Sequence, residues 1–150
     1  MAPKFSLQSV LDFRHGKVEL LEIELGKLVA VYQETLERLE ALKLYRSSLI
    51  SRLGVAQVGD IDLVEINLLR QNLLQAERHI EGVTRELEKQ SKAIEAKRAE
   101  LVAARQSEET LVILKRKRAE VYEAEQMQVE ARAQDDIYIA RAFRANQQGA

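Results

Sequence analysis

The reading that decides the fold begins at Leu7-Gln8-Ser9-Val10-Leu11 and ends at Leu49-Ile50-Ser51-Arg52-Leu53. Steps of four and three residues through this stretch visit Leu7, Leu11, Arg14, Val18, Leu21, Leu25, Leu28, Tyr32, Thr35, Leu39, Leu42, Arg46, Leu49 and Leu53. Eleven of the fourteen are apolar. A mean step of 3.5 residues marks a helix that lays one narrow seam against another helix. One helix cannot bury such a seam alone, so a partner helix is required.

The chain supplies that partner. From Ile66 the same stepping visits Leu69, Leu73, Ala76, Ile80, Val83, Leu87, Gln90, Ile94, Lys97, Leu101 and Ala104, and ten of the twelve positions are apolar. Between the two patterns lies Gly54-Val55-Ala56-Gln57-Val58-Gly59. Gly54 suits the residue just past a helix end and Asp60 suits the next N-cap. A break of that length is a helical-hairpin turn, so the two helices run antiparallel. The expected fold is all-α: a long two-helix antiparallel coiled-coil hairpin forming a single domain. Helix 1 is expected over about 5–53 with Ser6 as its N-cap, the turn over about 54–60, and helix 2 over about 61–145.

With Leu49 set against Ile66, facing residue numbers total about 115. Leu42 then meets Leu73, Leu39 meets Ala76, Tyr32 meets Val83 and Leu28 meets Leu87. Gln90 and Lys97 fall opposite Leu25 and Val18. Arg14, Arg46 and Lys97 are expected to snorkel, stem on the seam and charge in water. Gly16 and Gly26 interrupt the helix without interrupting the seam, and each costs up to about 1 kcal/mol of propensity. They are either tolerated or mark the close approach of a neighbour. In this register Leu7 lies opposite Glu108. The second helix therefore outruns the first by roughly 35 residues, or ~50 Å at ~1.5 Å per residue. That overhang has no partner within the chain and is expected to fray or to dock on another protein. Asn146 to Ala150 is expected to be disordered.

Composition agrees with long helices. The 150 residues are 46% hydrophobic and 31% charged, with Pro3 the single proline and no Trp. Basic and acidic residues balance at 23 against 24, which favours no phosphate-backbone ligand. The absence of Cys excludes disulfides and thiolate metal sites. No apolar run approaches the ~20 residues that span a bilayer, so no membrane insertion is expected. Met1-Ala2-Pro3-Lys4-Phe5 lacks the apolar core of a secretory signal, and the cytoplasm is the expected location.

No constellation for catalysis emerges. His15 and Glu19 have one-turn spacing but no third ligand. The glycines are isolated, so there is no phosphate loop and no cofactor is implied. Glu108-Glu109 and Asp135-Asp136 read as solvated helix faces. Lys115 to Arg118 is basic, but Glu120, Glu123 and Glu125 dilute the field, which favours a solvated or docking face over nucleic acid. A two-helix hairpin also lacks the concave pocket an enzyme uses. The residues alone thus describe a protein-binding helical hairpin.

The opening Phe5-x-Leu7-Gln8-x-Val10-Leu11-x-x-Arg14 resembles the start of the FliJ family of flagellar export proteins. Glu19 to Leu28 is similar to its continuation. Glu108-Glu109, Leu111, Leu114 and the following basic residues, then the mixed-charge helix to Asp135-Asp136-Ile137, resemble its tail. The likeness covers nearly the whole chain. It implies a small cytoplasmic coiled coil of the type III export apparatus, at the cytoplasmic face of the membrane at the flagellar base. Its partners would be the export ATPase ring, the cytoplasmic part of the export-gate membrane protein, and export chaperones. The roles implied are ATPase assembly, gate activation and chaperone handling, without catalysis. The family's gate-binding face maps onto Leu42, Tyr45 and Leu49 of the first helix. On the second it maps onto Asn72, where an aromatic is usual, and Ala76, where Leu is usual; Leu73 and Ile80 also fit. The ATPase-docking end would comprise Phe5, Leu7, Leu111 and Leu114, unless these four only close the open end. A stalk protein of a virulence type III system, or a plain coiled-coil spacer, is the alternative.

Overall fold

The computed structural model describes residues 3–149; Met1, Ala2 and Ala150 lie outside the described residues. Two helices account for nearly all of it: α1, Gln8–Ala56, and α2, Leu63–Gln148. They pack against each other, and no strand occurs among the described residues. The all-α hairpin read from the two seams is therefore the fold. Good helix formers (Leu, Ala, Glu, Lys, Arg, Gln) fill both elements, and the buried stripe selects the faces that meet. None of the described helices is long and apolar enough to cross a membrane.

The turn differs in detail from the sequence expectation. Gly54 is helical, and α1 ends at Ala56. The left-handed residue is Gly59, with φ of 83°, a conformation that costs a side-chain-bearing residue energy. Asp62, not Asp60, caps α2: its Oδ1 accepts from the Val64 and Glu65 backbone N–H groups at 3.0 and 3.4 Å. Glu65 adds a negative charge to the first turn, where the helix dipole favours it.

Residues 18–103 form one compact unit. Leu39, Val83 and Leu87 make one buried cluster, with Tyr32, Leu36, Leu42 and Ile80 packed on it. Leu49, Leu69 and Ala76 make a second, with Leu53, Ala56 and Leu73 packed on it. Cross-helix polar partners have residue numbers totalling 121 for Glu24 and Lys97, 124 for Arg38 and Glu86, and 125 for Thr35 and Gln90. The register is thus about one heptad beyond the total of about 115 expected from the sequence. A seam repeating every seven residues looks alike after a seven-residue slip, so periodicity does not choose between the two. Leu42 shares its cluster with Ile80 and Leu39 with Val83, rather than with Leu73 and Ala76.

Residues 1–17 together with 104–150 form the other unit. Leu11, Ala104 and Leu111 are buried there. Its cross-helix contacts join His15 to Glu108, Arg14 to Ser107, Gln8 to Lys115 and Ser6 to Arg118. Leu7 therefore lies beyond Glu108 in register, and the overhang is shorter than expected. Every described residue from 123 onward is exposed, yet α2 continues to Gln148. Asn146 to Gln148 are helical, contrary to the expected disorder. A Cβ at Gly16, Gly26 or Gly82 would meet nothing within 4 Å, so no neighbour closes on these glycines.

Candidate functional site

The unit made of the N-terminal segment and the latter part of α2 carries a built groove. Phe5 is half-buried just before α1. The Arg118 guanidinium lies over its ring, 5.4 Å from the centroid, a cation–π distance. The same guanidinium donates through Nη1 to Ser6 Oγ at 2.9 Å. Lys115 Nζ donates to Gln8 Oε1 at 2.8 Å, and Gln8 Nε2 donates to Asp12 Oδ1 at 2.9 Å. These bonds fix the irregular segment before α1 against α2. Between them opens a cavity of about 490 Å³, lined by Pro3, Lys4, Phe5, Ser6, Lys115, Arg118, Ala119, Tyr122 and Glu123. Its floor is aromatic and its rim carries three cations against one carboxylate.

Of the four residues expected at this end, Leu111 is 5% exposed and closes the seam. Leu7 and Leu114 are half-buried, and Phe5 lines the groove. The sequence reading missed Arg118, Tyr122 and Lys4 as groove residues. Their only signal was the basic run 115–118 lying one heptad closer to Phe5 than the assumed register allowed.

Two seam contacts follow further along α1 in this unit. His15 Nδ1 and Glu108 Oε1 are 2.5 Å apart, and Arg14 Nη1 donates to the Ser107 carbonyl at 2.8 Å. His15 is thus engaged by a carboxylate of α2. Among the described residues, no group of three or more His, Cys, Asp or Glu side chains is arranged around a metal position.

Within residues 18–103, the five residues of the second expected face divide by burial. Leu49 is 1% exposed and Ala76 2%, and the structure brings them together in one seam cluster. Leu42 belongs to the neighbouring cluster. Tyr45 is 47% exposed and Asn72 half-buried, so these two reach the surface. Leu44, Ile50, Leu68 and Leu74 are exposed apolar neighbours in the same unit that the seam stepping passes over.

Polar groups inside this unit's seam are placed rather than scattered. Gln90 Nε2 donates to Thr35 Oγ1 at 3.1 Å, and Thr35 Oγ1 donates to the Val31 carbonyl at 2.9 Å. Gln90 Oε1 is buried without a protein partner. Lys97 Nζ donates to Glu24 Oε2 at 2.9 Å and Glu100 Oε2 at 3.4 Å. The hydrogen bond to Glu24 is the main reason its ammonium is held above the ordinary lysine range, against an opposing effect of burial.

Two long α-helices packed against each other as a hairpin, with no strand among the described residues, define an all-α helical-hairpin protein. The family model described as Flagellar FliJ protein matches residues 3–147. The chain belongs to the FliJ family and has a role in flagellar protein export. No curated protein and no solved structure matches it.

Proposed function

We infer that this protein is a non-catalytic adaptor of the flagellar export apparatus. Its open end docks on the export ATPase and promotes assembly of that ring. The Leu42–Tyr45 face with Asn72 contacts the cytoplasmic part of the export-gate protein, with Leu49 and Ala76 supporting that face from the seam. Export chaperones are further partners, and the protein works at the cytoplasmic face of the membrane at the flagellar base. The observation that carries the ATPase assignment is the groove around Phe5, beside a helix whose residues 123–148 are all exposed. A groove with aromatic residues in its lining, beside a helix left without an internal partner, is what an intermolecular contact uses. Tyr45 carries the gate assignment, since it is the exposed aromatic of the five-residue face.

Capture assays with the purified export ATPase and with the gate protein's cytoplasmic domain test both assignments. Phe5→Ala should weaken ATPase capture and leave gate capture intact. Tyr45→Ala should do the reverse. Unchanged ATPase capture by Phe5→Ala and by a chain ending at Tyr122 rejects the docking end. Unchanged gate capture by Tyr45→Ala rejects the face.

A further inference from the structure

The seam stepping does not stop where α1 runs out. Continued along α2 it visits Leu111, Lys115, Arg118, Tyr122, Glu125, Val129, Arg132, Asp136, Ile139 and Phe143. Past Tyr122 these positions have no α1 residue to meet, and all are exposed. They mix three charged residues with three apolar ones, a pattern that pairs poorly with a plain apolar helix but can pair with itself. We propose that two copies of this chain associate through their extensions, antiparallel, with facing seam numbers totalling about 254.

That total comes from charge. At about 254, Arg118 of each copy faces Asp136 of the other, Tyr122 faces Arg132, Glu125 faces Val129 and Lys115 faces Ile139, while Leu111 stays buried in its own chain's seam. A slip of one heptad to about 247 sets Arg132 against Lys115 twice. A slip the other way, to about 261, sets Asp136 against Glu125 twice. One register brings opposite charges together, and both neighbours are repulsive.

The groove at the open end supplies an independent fit. Lys115, Arg118 and Tyr122 line it, beside Phe5 and Lys4. In the proposed register these residues face Ile139, Asp136 and Arg132 of the second copy. An acidic side chain thus arrives at the cationic rim and an aliphatic one beside the aromatic floor. The second copy's Asp135 lies next to Ala119, within reach of the same rim. Ile139 is 63% exposed in the single chain, so it has surface to lose.

Sedimentation of the full chain over a range of concentrations at low salt tests this. The mass should rise from one chain to two, and added salt should reverse the rise. Arg118→Glu and Asp136→Arg should each weaken association by about tenfold or more, and the double variant should recover it. Asp136 lies in the exposed extension, so its variant keeps the hairpin; circular dichroism checks this. Because the chain has no Cys, Glu125→Cys mixed with Val129→Cys should give a disulfide-linked dimer more readily than either variant alone. A monomer at every concentration overturns the proposal. So does failure of the double variant to recover, preferential linking of Glu125→Cys to itself, or a monomer that instead captures an acidic amphipathic peptide. The export ATPase takes no part in these measurements; because a second copy and the ATPase would use the same groove, ATPase capture is read at salt that keeps the chain a monomer, which separates the two outcomes.

Discussion

Gln90 Nε2 donates to Thr35 Oγ1 at 3.1 Å, and this bond exists in only one register of an otherwise repetitive seam. Slipped by a heptad to the total of about 115, Thr35 would face Ile80 and Gln90 would face Leu25. Each polar group would then be desolvated against an aliphatic side chain. Thr35→Val alone leaves the Gln90 amide facing a methyl group, and it should lower stability by about 1–2 kcal/mol. Thr35→Val with Gln90→Leu removes both polar groups and the orphaned Gln90 Oε1 with them. That double variant should be at least as stable as the parent by urea unfolding, yet should populate more than one register. Spin labels placed on Arg38 and Glu86 should show one distance in the parent and a second in the double variant.

The helical hairpin was legible because Leu, Ile and Val recur at 3.5-residue spacing over a hundred residues. The register was not, because that same recurrence is blind to a slip of seven. What decides it lies off the apolar positions: Asp62 as the cap, Gly59 as the left-handed residue, and the Thr35–Gln90 and Glu24–Lys97 pairs. The groove inherited the same blindness. Phe5 stood out as an exposed-end aromatic, but its partner Arg118 became visible only with the register fixed. Leu49 and Ala76 show the converse limit: likeness to a family marks a face, whereas burial tells which of its residues can touch a partner.

Burial separates leucines that composition treats alike. Leu49 is 1% exposed and sits in a cluster with Leu69 and Ala76, so Leu49→Ala should cost about 2–5 kcal/mol. Leu44 is 72% exposed, and Leu44→Ala should stay within about 0.5 kcal/mol of the parent. Urea midpoints of the two variants make the comparison. Equal midpoints would contradict the observed seam. Leu28→Asp should be harsher than either, because it places a carboxylate on the seam without a cation.

The glycines offer changes in both directions. Gly26 and Gly82 are helical and exposed, with nothing within 4 Å of an added Cβ. Gly26→Ala and Gly82→Ala should each stabilise by up to about 1 kcal/mol through helix propensity and reduced unfolded-state entropy. Gly59 has the same open space but a φ of 83°, so Gly59→Ala should destabilise by about 1–2 kcal/mol. Thermal midpoints moving up for the first two and down for the third would confirm the turn conformation.

Lys97 makes the hairpin's stability depend on alkaline pH. Its ammonium bridges Glu24 and Glu100, and the bond to Glu24 chiefly raises its folded-state pKa above the ordinary lysine value. A group raised on folding contributes its full stability below its unfolded pKa, and the contribution disappears as pH climbs through the folded one. The parent should therefore hold this contribution at neutral pH and lose it across the alkaline range above the ordinary lysine pKa. Lys97→Met keeps an unbranched stem on the seam and removes the titration, so its stability should fall less steeply over that range. Urea unfolding of both proteins at neutral and strongly alkaline pH reads the difference. Parallel loss of stability in the two would show that the Glu24–Lys97–Glu100 cluster does not govern the alkaline limb. A shallower loss in Lys97→Met would place the titrating group in the seam.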